Sequence, residues 1–270
     1  MAAGAGTAGR ESASAGDGAE RALALLTAAA RDRAAGTRKP WIETLPDAAP
    51  DTPGAVQALM LSPVLARVYE RWWRPAMGRV AKGVLGPGMD EERRIARLML
   101  AARPGDRVLD VACGTGSFTR ELARAVGADG LALGLDVSEP MLRRAVAATV
   151  GADQPQVAWI RADAQELPFL AESFDGVCCF AALNLMADPM RALDRMAAIL
   201  RPGGRIALFT SALARSTALR GAESLAARLS GMRMFGPGEL TGALEKRGFE
   251  DISQRLTGVT QFVGGRLAAP

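Results

Sequence analysis

The chain has 270 residues, 49% of them hydrophobic, with a formal net charge of +4, three cysteines and no histidine. That length and apolar share suffice for one α/β domain with additions, and the missing imidazole removes both the commonest general base and the commonest transition-metal ligand. The only lysines are Lys39, Lys82 and Lys246 and there is no basic run, so the positive charge reads as scattered surface charge and nucleic acid is not expected as a partner.

Residues 1–19 are almost all Ala, Gly, Ser and small polar types, which cannot bury enough surface to offset ordering; they are expected to be disordered and dispensable. One short helix is predicted over 20–35. Glu11, Asp17 and Glu20 stand where a signal peptide would need positive charge, so the apolar stretch 22–30 is read as helix. Residues 39–53 read as an extended connector. Residues 1–53 are thus taken as an extension and 54–270 as the folded domain.

Helical spacing of apolar residues returns over 56–82 and 90–102. Within the first stretch Tyr69, Trp72, Trp73 and Met77 fall on one helical face. That face either packs on the core or forms a wall of a substrate pocket.

From residue 107 onward strand and helix patterns alternate, which implies a mostly parallel sheet covered on both faces. Strands are predicted at 107–111, 131–135, 157–161, 176–180 and 205–210, with helices at 118–126, 139–150 and 189–200 between them. A helix at 238–247 and two strands at 251–256 and 260–263 close the pattern. The interval 211–234 breaks the rhythm and is read as an insertion forming a lid over the site. No apolar run reaches the roughly 18 residues needed to span a bilayer, so no stable membrane insertion is expected. Cys113, Cys178 and Cys179 show neither disulfide nor metal spacing, which suits a reducing cytoplasm, and no metal is expected.

The chemistry-bearing signal is the segment from Asp110 through Ala112, Gly114 and Gly116: an apolar strand, a glycine turn, then a helix. Such a turn serves either a dinucleotide pyrophosphate or S-adenosylmethionine. A carboxylate ahead of the glycines disfavours a pyrophosphate and favours a ligand bearing an ammonium and a sulfonium. Asp136 ends the second strand, where it can take both ribose hydroxyls, and Asp163 ends the third, where it can accept from an adenine amine. In an open parallel sheet, strand ends line one crevice.

In order, D-V-A-C-G-T-G at 110–116, G-L-D-V-S-E-P-M-L at 134–142, D-A-Q-E-L-P-F at 163–169, S-F-D-G-V at 173–177 and L-R-P-G-G-R at 200–205 resemble the class I methyltransferase motifs. In detail they are similar to the ubiquinone and menaquinone biosynthesis methyltransferases. The resemblance covers about residues 106–210. It implies a Rossmann-like seven-stranded sheet whose last strand is antiparallel, S-adenosylmethionine as cofactor and a small-molecule acceptor. It further implies cofactor contacts at Asp110, Ala112, Gly114, Gly116, Asp136, Val137, Met141, Asp163 and Ala164. After the fourth strand F-A-A-L-N stands where that family has roughly F-G-L-R-N, so Asn184 is kept while an Arg is replaced by Leu183. Asn184 is the candidate for positioning the acceptor, and Tyr69, Trp72, Trp73 and Phe180 for walling its pocket. The expected activity is methyl transfer to C or O of a small apolar quinone-, phenol- or polyketide-like acceptor. A non-catalytic cofactor-binding module and an NAD-dependent oxidoreductase are the alternatives, and the oligomeric state stays open.

Overall fold

The computed structural model describes residues 17–36, 38–45, 88–151, 154–213 and 232–269. Among the described residues eight strands form one sheet. In chain order they are β1 (Ile42–Glu43), β2 (Arg107–Val111), β3 (Leu131–Asp136), β4 (Val157–Arg161), β5 (Phe174–Phe180), β6 (Leu200–Ser211), β7 (Phe249–Thr257) and β8 (Thr260–Leu267). Their spatial order is β1-β4-β3-β2-β5-β6-β8-β7, with every pair parallel up to β6 and β8 antiparallel to both its neighbours. The expected mostly parallel sheet with an antiparallel last strand is present, but among the described residues it has eight strands and not seven. The additional strand is β1, which pairs Ile42 with Ile160 and Glu43 with Arg161. Two residues carry no side-chain alternation to read, and backbone pairing with an exposed edge requires none.

The central strands are apolar on both faces because both faces are covered. All six residues of β3 are buried. Leu109, Val111, Leu131, Leu133, Leu135, Val177 and Cys179 point to one face. Val108, Ala132, Trp159, Cys178 and Phe180 point to the other. The described helices are α1 (17–24), α2 (Ala28–Ala34), α3 (Met89–Leu100), α4 (Ser117–Val126), α5 (Glu139–Ala147), α6 (Pro189–Ile199) and α7 (Glu239–Glu245). Residues of α1, α2, α6 and α7 pack on the first face, and those of α3, α4 and α5 on the second. In α6 the buried positions Pro189, Ala192, Leu193, Met196 and Ile199 form one stripe. Asp188 caps that helix by accepting from the N–H groups of Met190 and Arg191, and Pro189 fits its first turn.

Residues 17–36 and 38–45 pack against this sheet. Ala22, Leu26 and Ala30 are fully buried in the first-face core. The Gly18 N–H donates to the Pro155 carbonyl at 3.0 Å, Thr27 N–H to Pro168 at 2.9 Å, and Leu170 N–H to Leu25 at 2.9 Å. The helical stretch expected over 20–35 is thus two helices starting at residue 17, and the segment covers the β4 edge that would otherwise offer unpaired backbone groups.

Candidate functional site

The chain order reverses at β2: β3 and β4 lie on one side of it, β5 and β6 on the other. Strands on both sides of such a switch point leave a crevice at their C-terminal ends. Two adjacent strands run there into left-handed backbone, at Ala112 (φ 58°) after β2 and Ala181 (φ 60°) after β5. For a residue with a Cβ this conformation costs on the order of 1–3 kcal/mol, and such strain concentrates at functional sites. Gly114 (φ 56°) and Gly116 (φ 76°) continue the same left-handed winding into α4. A Cβ on Gly116 would in addition lie 2.1 Å from Cη2 of Trp159.

The three strand-end carboxylates have different surroundings. Asp136 Oδ2 accepts from the Gly114 N–H and Oδ1 from the Ser138 N–H, both at 2.8 Å. Each oxygen keeps a second lone pair, so the orientation is fixed while the capacity to accept two hydroxyls remains. Burial pushes the Asp136 carboxyl above its usual range, opposed by the N–H groups of Ser138, Gly114 and Val137. Asp110 is 2% exposed; its Oδ2 accepts from the Thr119 hydroxyl at 2.7 Å and its Oδ1 from the Cys178 thiol at 3.6 Å. Its charge therefore lies beneath the glycine turn. Asp163 is half-buried, and its Oδ1 accepts from the Gln165 N–H at 2.8 Å at the start of a 3-10 turn.

Sequence positions 112, 114, 116, 136, 137, 141, 163 and 164 are brought to this one edge by β2, β3, β4 and the turns after them. Val137 follows Asp136 directly, Met141 is buried in the first turns of α5, and Ala164 opens the 3-10 turn. Asn184 lies in a 3-10 turn after β5. Its Oδ1 accepts from the Thr210 hydroxyl at 3.4 Å and its carbonyl from the Arg233 N–H at 2.8 Å. Phe180 is 6% exposed and packs in the second-face core, stacked on Phe118 with centroids 4.9 Å apart and 6.3 Å from Phe209. Tyr69, Trp72 and Trp73 lie outside the described residues, as does most of the 211–234 insertion. The described ends of that insertion meet beside Asn184, where the Leu213 N–H donates to Phe235 at 2.9 Å.

Several further residues hold these groups in place. Thr119 stands where a dinucleotide fingerprint would have a third small residue, yet it anchors Asp110. Arg161, 7% exposed, donates through Nε to the Val137 carbonyl at 3.0 Å and pairs with Glu43 at 3.4 Å. A charged residue between Ile160 and Ala162 in a buried strand was the available signal, because such a group needs a partner. Ser138, in the N-cap position of α5, makes no side-chain cap; it holds Asp136 through its main chain instead.

Residues 108–204 match the family model described as a methyltransferase domain. With the strand-end geometry and the sheet order this places the core. Residues 108–204 are thus similar to a methyltransferase domain. The chain is 35% identical over 150 residues to an uncharacterized chloroplastic methyltransferase of Arabidopsis thaliana, covering 54% of this chain and 41% of that protein. It is 43% identical over 106 residues to a demethylmenaquinone methyltransferase of Symbiobacterium thermophilum, covering 38% and 41%. These matches thus span under half the length of either relative. The fold of the methyltransferase domain is similar to that of a [4+2]-cyclase, SpnF, with a TM-score of 0.64 and 17% identity over 83% of this chain and 100% of that one. Among the described residues no helix is long and apolar enough to cross a membrane, and no group of three or more Cys, Asp or Glu could hold a metal ion.

Proposed function

We propose that the methyltransferase domain binds S-adenosylmethionine and transfers its methyl group to carbon or oxygen of a small, largely apolar quinone-, phenol- or polyketide-like acceptor. The observation that carries this reading is Asp136: an oriented, buried carboxylate tied to the glycine turn at the sheet's switch point, with lone pairs left for a pair of vicinal hydroxyls. The residues present fit an adenosyl ligand. Asp136 would hold the ribose, Val137, Met141 and Ala164 would flank the base, Asp163 would accept from its amine, and the turn from Ala112 to Gly116 would take the amino-acid end.

S-adenosylmethionine, when bound, supplies an already activated methyl group. The work left to the protein is alignment and the exclusion of water. With no histidine in the chain, a proton would be taken by a carboxylate or Tyr69, or lost by the acceptor itself, so acidic phenols and hydroquinones suit the site better than alcohols. Asn184, at the β5 end beside Thr210, would hydrogen-bond such an acceptor's oxygen. A demethylmenaquinone methyltransferase among the relatives favours a quinone-type ring.

Calorimetry with S-adenosylhomocysteine, and with NAD beside it, tests the cofactor. Transfer of labelled methyl into a panel of hydroquinones, phenols and polyketide aromatics tests the acceptor class. Tight binding of NAD alone would overturn the cofactor assignment, and homocysteine-product binding without any transfer would support a non-catalytic module. The likeness to a cyclase makes the second arm necessary, since fold by itself does not assign methyl transfer.

A further inference from the structure

Residues 39–45 are linked to the turn that follows Asp136 through Arg161 and Glu139. Arg161, which ends β4, donates through Nε to the Val137 carbonyl at 3.0 Å, and its Nη1 lies 3.4 Å from Glu43 Oε2. Both partners are nearly buried, with side-chain exposures of 9% and 4%. Glu43 also accepts from Trp41 Nε1 at 3.2 Å and from the Leu45 N–H at 3.2 Å. Lys39 bridges Glu43 at 3.0 Å and Glu139, the first residue of α5, at 3.3 Å. The Arg161 carbonyl accepts from both the N–H and the hydroxyl of Thr44, at 3.1 and 2.8 Å. Residues 25–27 meanwhile pair with 168–170, just beyond Asp163 and Ala164.

A buried ion pair is a poor means of gaining stability, because desolvation offsets most of the attraction. What this pair does specify is direction. Arginine's planar fork can serve Val137 and Glu43 together, which a lysine ammonium cannot do with the same geometry. We propose that Glu43 and Arg161 are positioning residues that hold the Val137 turn in its ligand-binding geometry, so that the segment at 39–45 forms part of the adenosyl side of the site. The inference rests on the cofactor assignment proposed above.

The test is calorimetric titration of the full chain with S-adenosylhomocysteine, alongside melting of the unliganded protein. Arg161→Lys, which keeps the charge opposite Glu43, and Glu43→Gln should each raise the Kd about tenfold, the size expected when a supporting residue is coupled to a site. At temperatures where both variants are fully folded, a role in stability alone would lower the melting temperature and leave the Kd within twofold of the parent chain. That result overturns the inference. Should either variant fold poorly, Thr44→Val removes only the hydroxyl bond to Arg161 and should still raise the Kd by about two- to threefold; an unchanged Kd there counts against the inference equally. Failure of the unsubstituted chain to bind S-adenosylhomocysteine overturns the cofactor assignment itself, so the two failures are distinguishable.

Discussion

The indole of Trp159 occupies the space that a side chain at Gly134 would need. A Cβ on Gly134 would lie 2.4 Å from Cζ3 of the ring, and one on Gly116 would meet the same indole at 2.1 Å. Gly134 on β3 and Trp159 on β4 are register partners in the sheet. One aromatic ring thus forms the floor beneath the glycine turn, which explains why the approach to the site demands two residues without side chains.

Gly134→Ala should cost about 1–3 kcal/mol through overpacking, read as a lower urea midpoint. Trp159→Leu alone should also destabilise, by leaving a cavity. The double variant should recover part of the loss, since removal of the ring makes room for the methyl group. A double-mutant cycle with no coupling would mean the ring moves aside freely.

Asp136→Ala should weaken S-adenosylhomocysteine binding by about 2 kcal/mol, because the charged acceptor is lost together with the anchor for the Gly114 and Ser138 N–H groups. The pH dependence has a definite sign. The folded carboxyl titrates above its usual range because burial disfavours the charge. Its contribution to the stability of the unliganded protein is therefore fully present below the ordinary carboxylate range and is lost as pH rises through the raised folded value. Ligand affinity should run the other way and fall as the pH drops into that range, where a protonated carboxyl has less capacity to accept. Titrations at pH 7 and near pH 4.5 check this, and an Asp136→Asn variant should show little of the change.

Cys178 and Cys179 should resist alkylation in the native protein at pH 8. Burial, reinforced by the Asp110 charge, pushes Cys178 well up, and burial together with Asp110 pushes Cys179 up to about 12. Both side chains are inaccessible, so neither supplies thiolate nor offers a path to the reagent. Peptide mass analysis after brief iodoacetamide treatment is the measurement. Rapid labelling of either residue would show that the sheet opens locally.

Leu26→Ala should destabilise by about 2–5 kcal/mol, as a fully buried leucine of a core does. Starting the chain at Glu20 removes the Gly18 bond to Pro155, the exposed Asp17–Arg21 pair and the first residues of α1, and should cost about 1 kcal/mol. Starting it at residue 46 deletes β1 and the Leu25–Leu26 contacts and should lower the melting temperature by many degrees.

The amino-acid sequence alone determined most of the central elements and the residue types at their ends. Alternation of apolar strands with amphipathic helices specified a parallel sheet covered on both faces, and the glycine turn with Asp110, Asp136 and Asp163 at the ends of successive strands marked a candidate ligand edge. Those signals are legible because they are local: a period of two or 3.6 residues, or a fixed spacing within one turn, is written in neighbouring positions. Tertiary structure decided what each group meets. Glu43 finds Arg161 across 118 residues and Asp110 finds Thr119 across nine. Ile42 and Glu43 become a strand only because β4 has an edge to cover. Trp159 reads as one more strand residue until the sheet register sets it beneath two glycines. Such pairings depend on which surfaces the folded chain brings within about 3 Å of one another, and no spacing within the sequence encodes that.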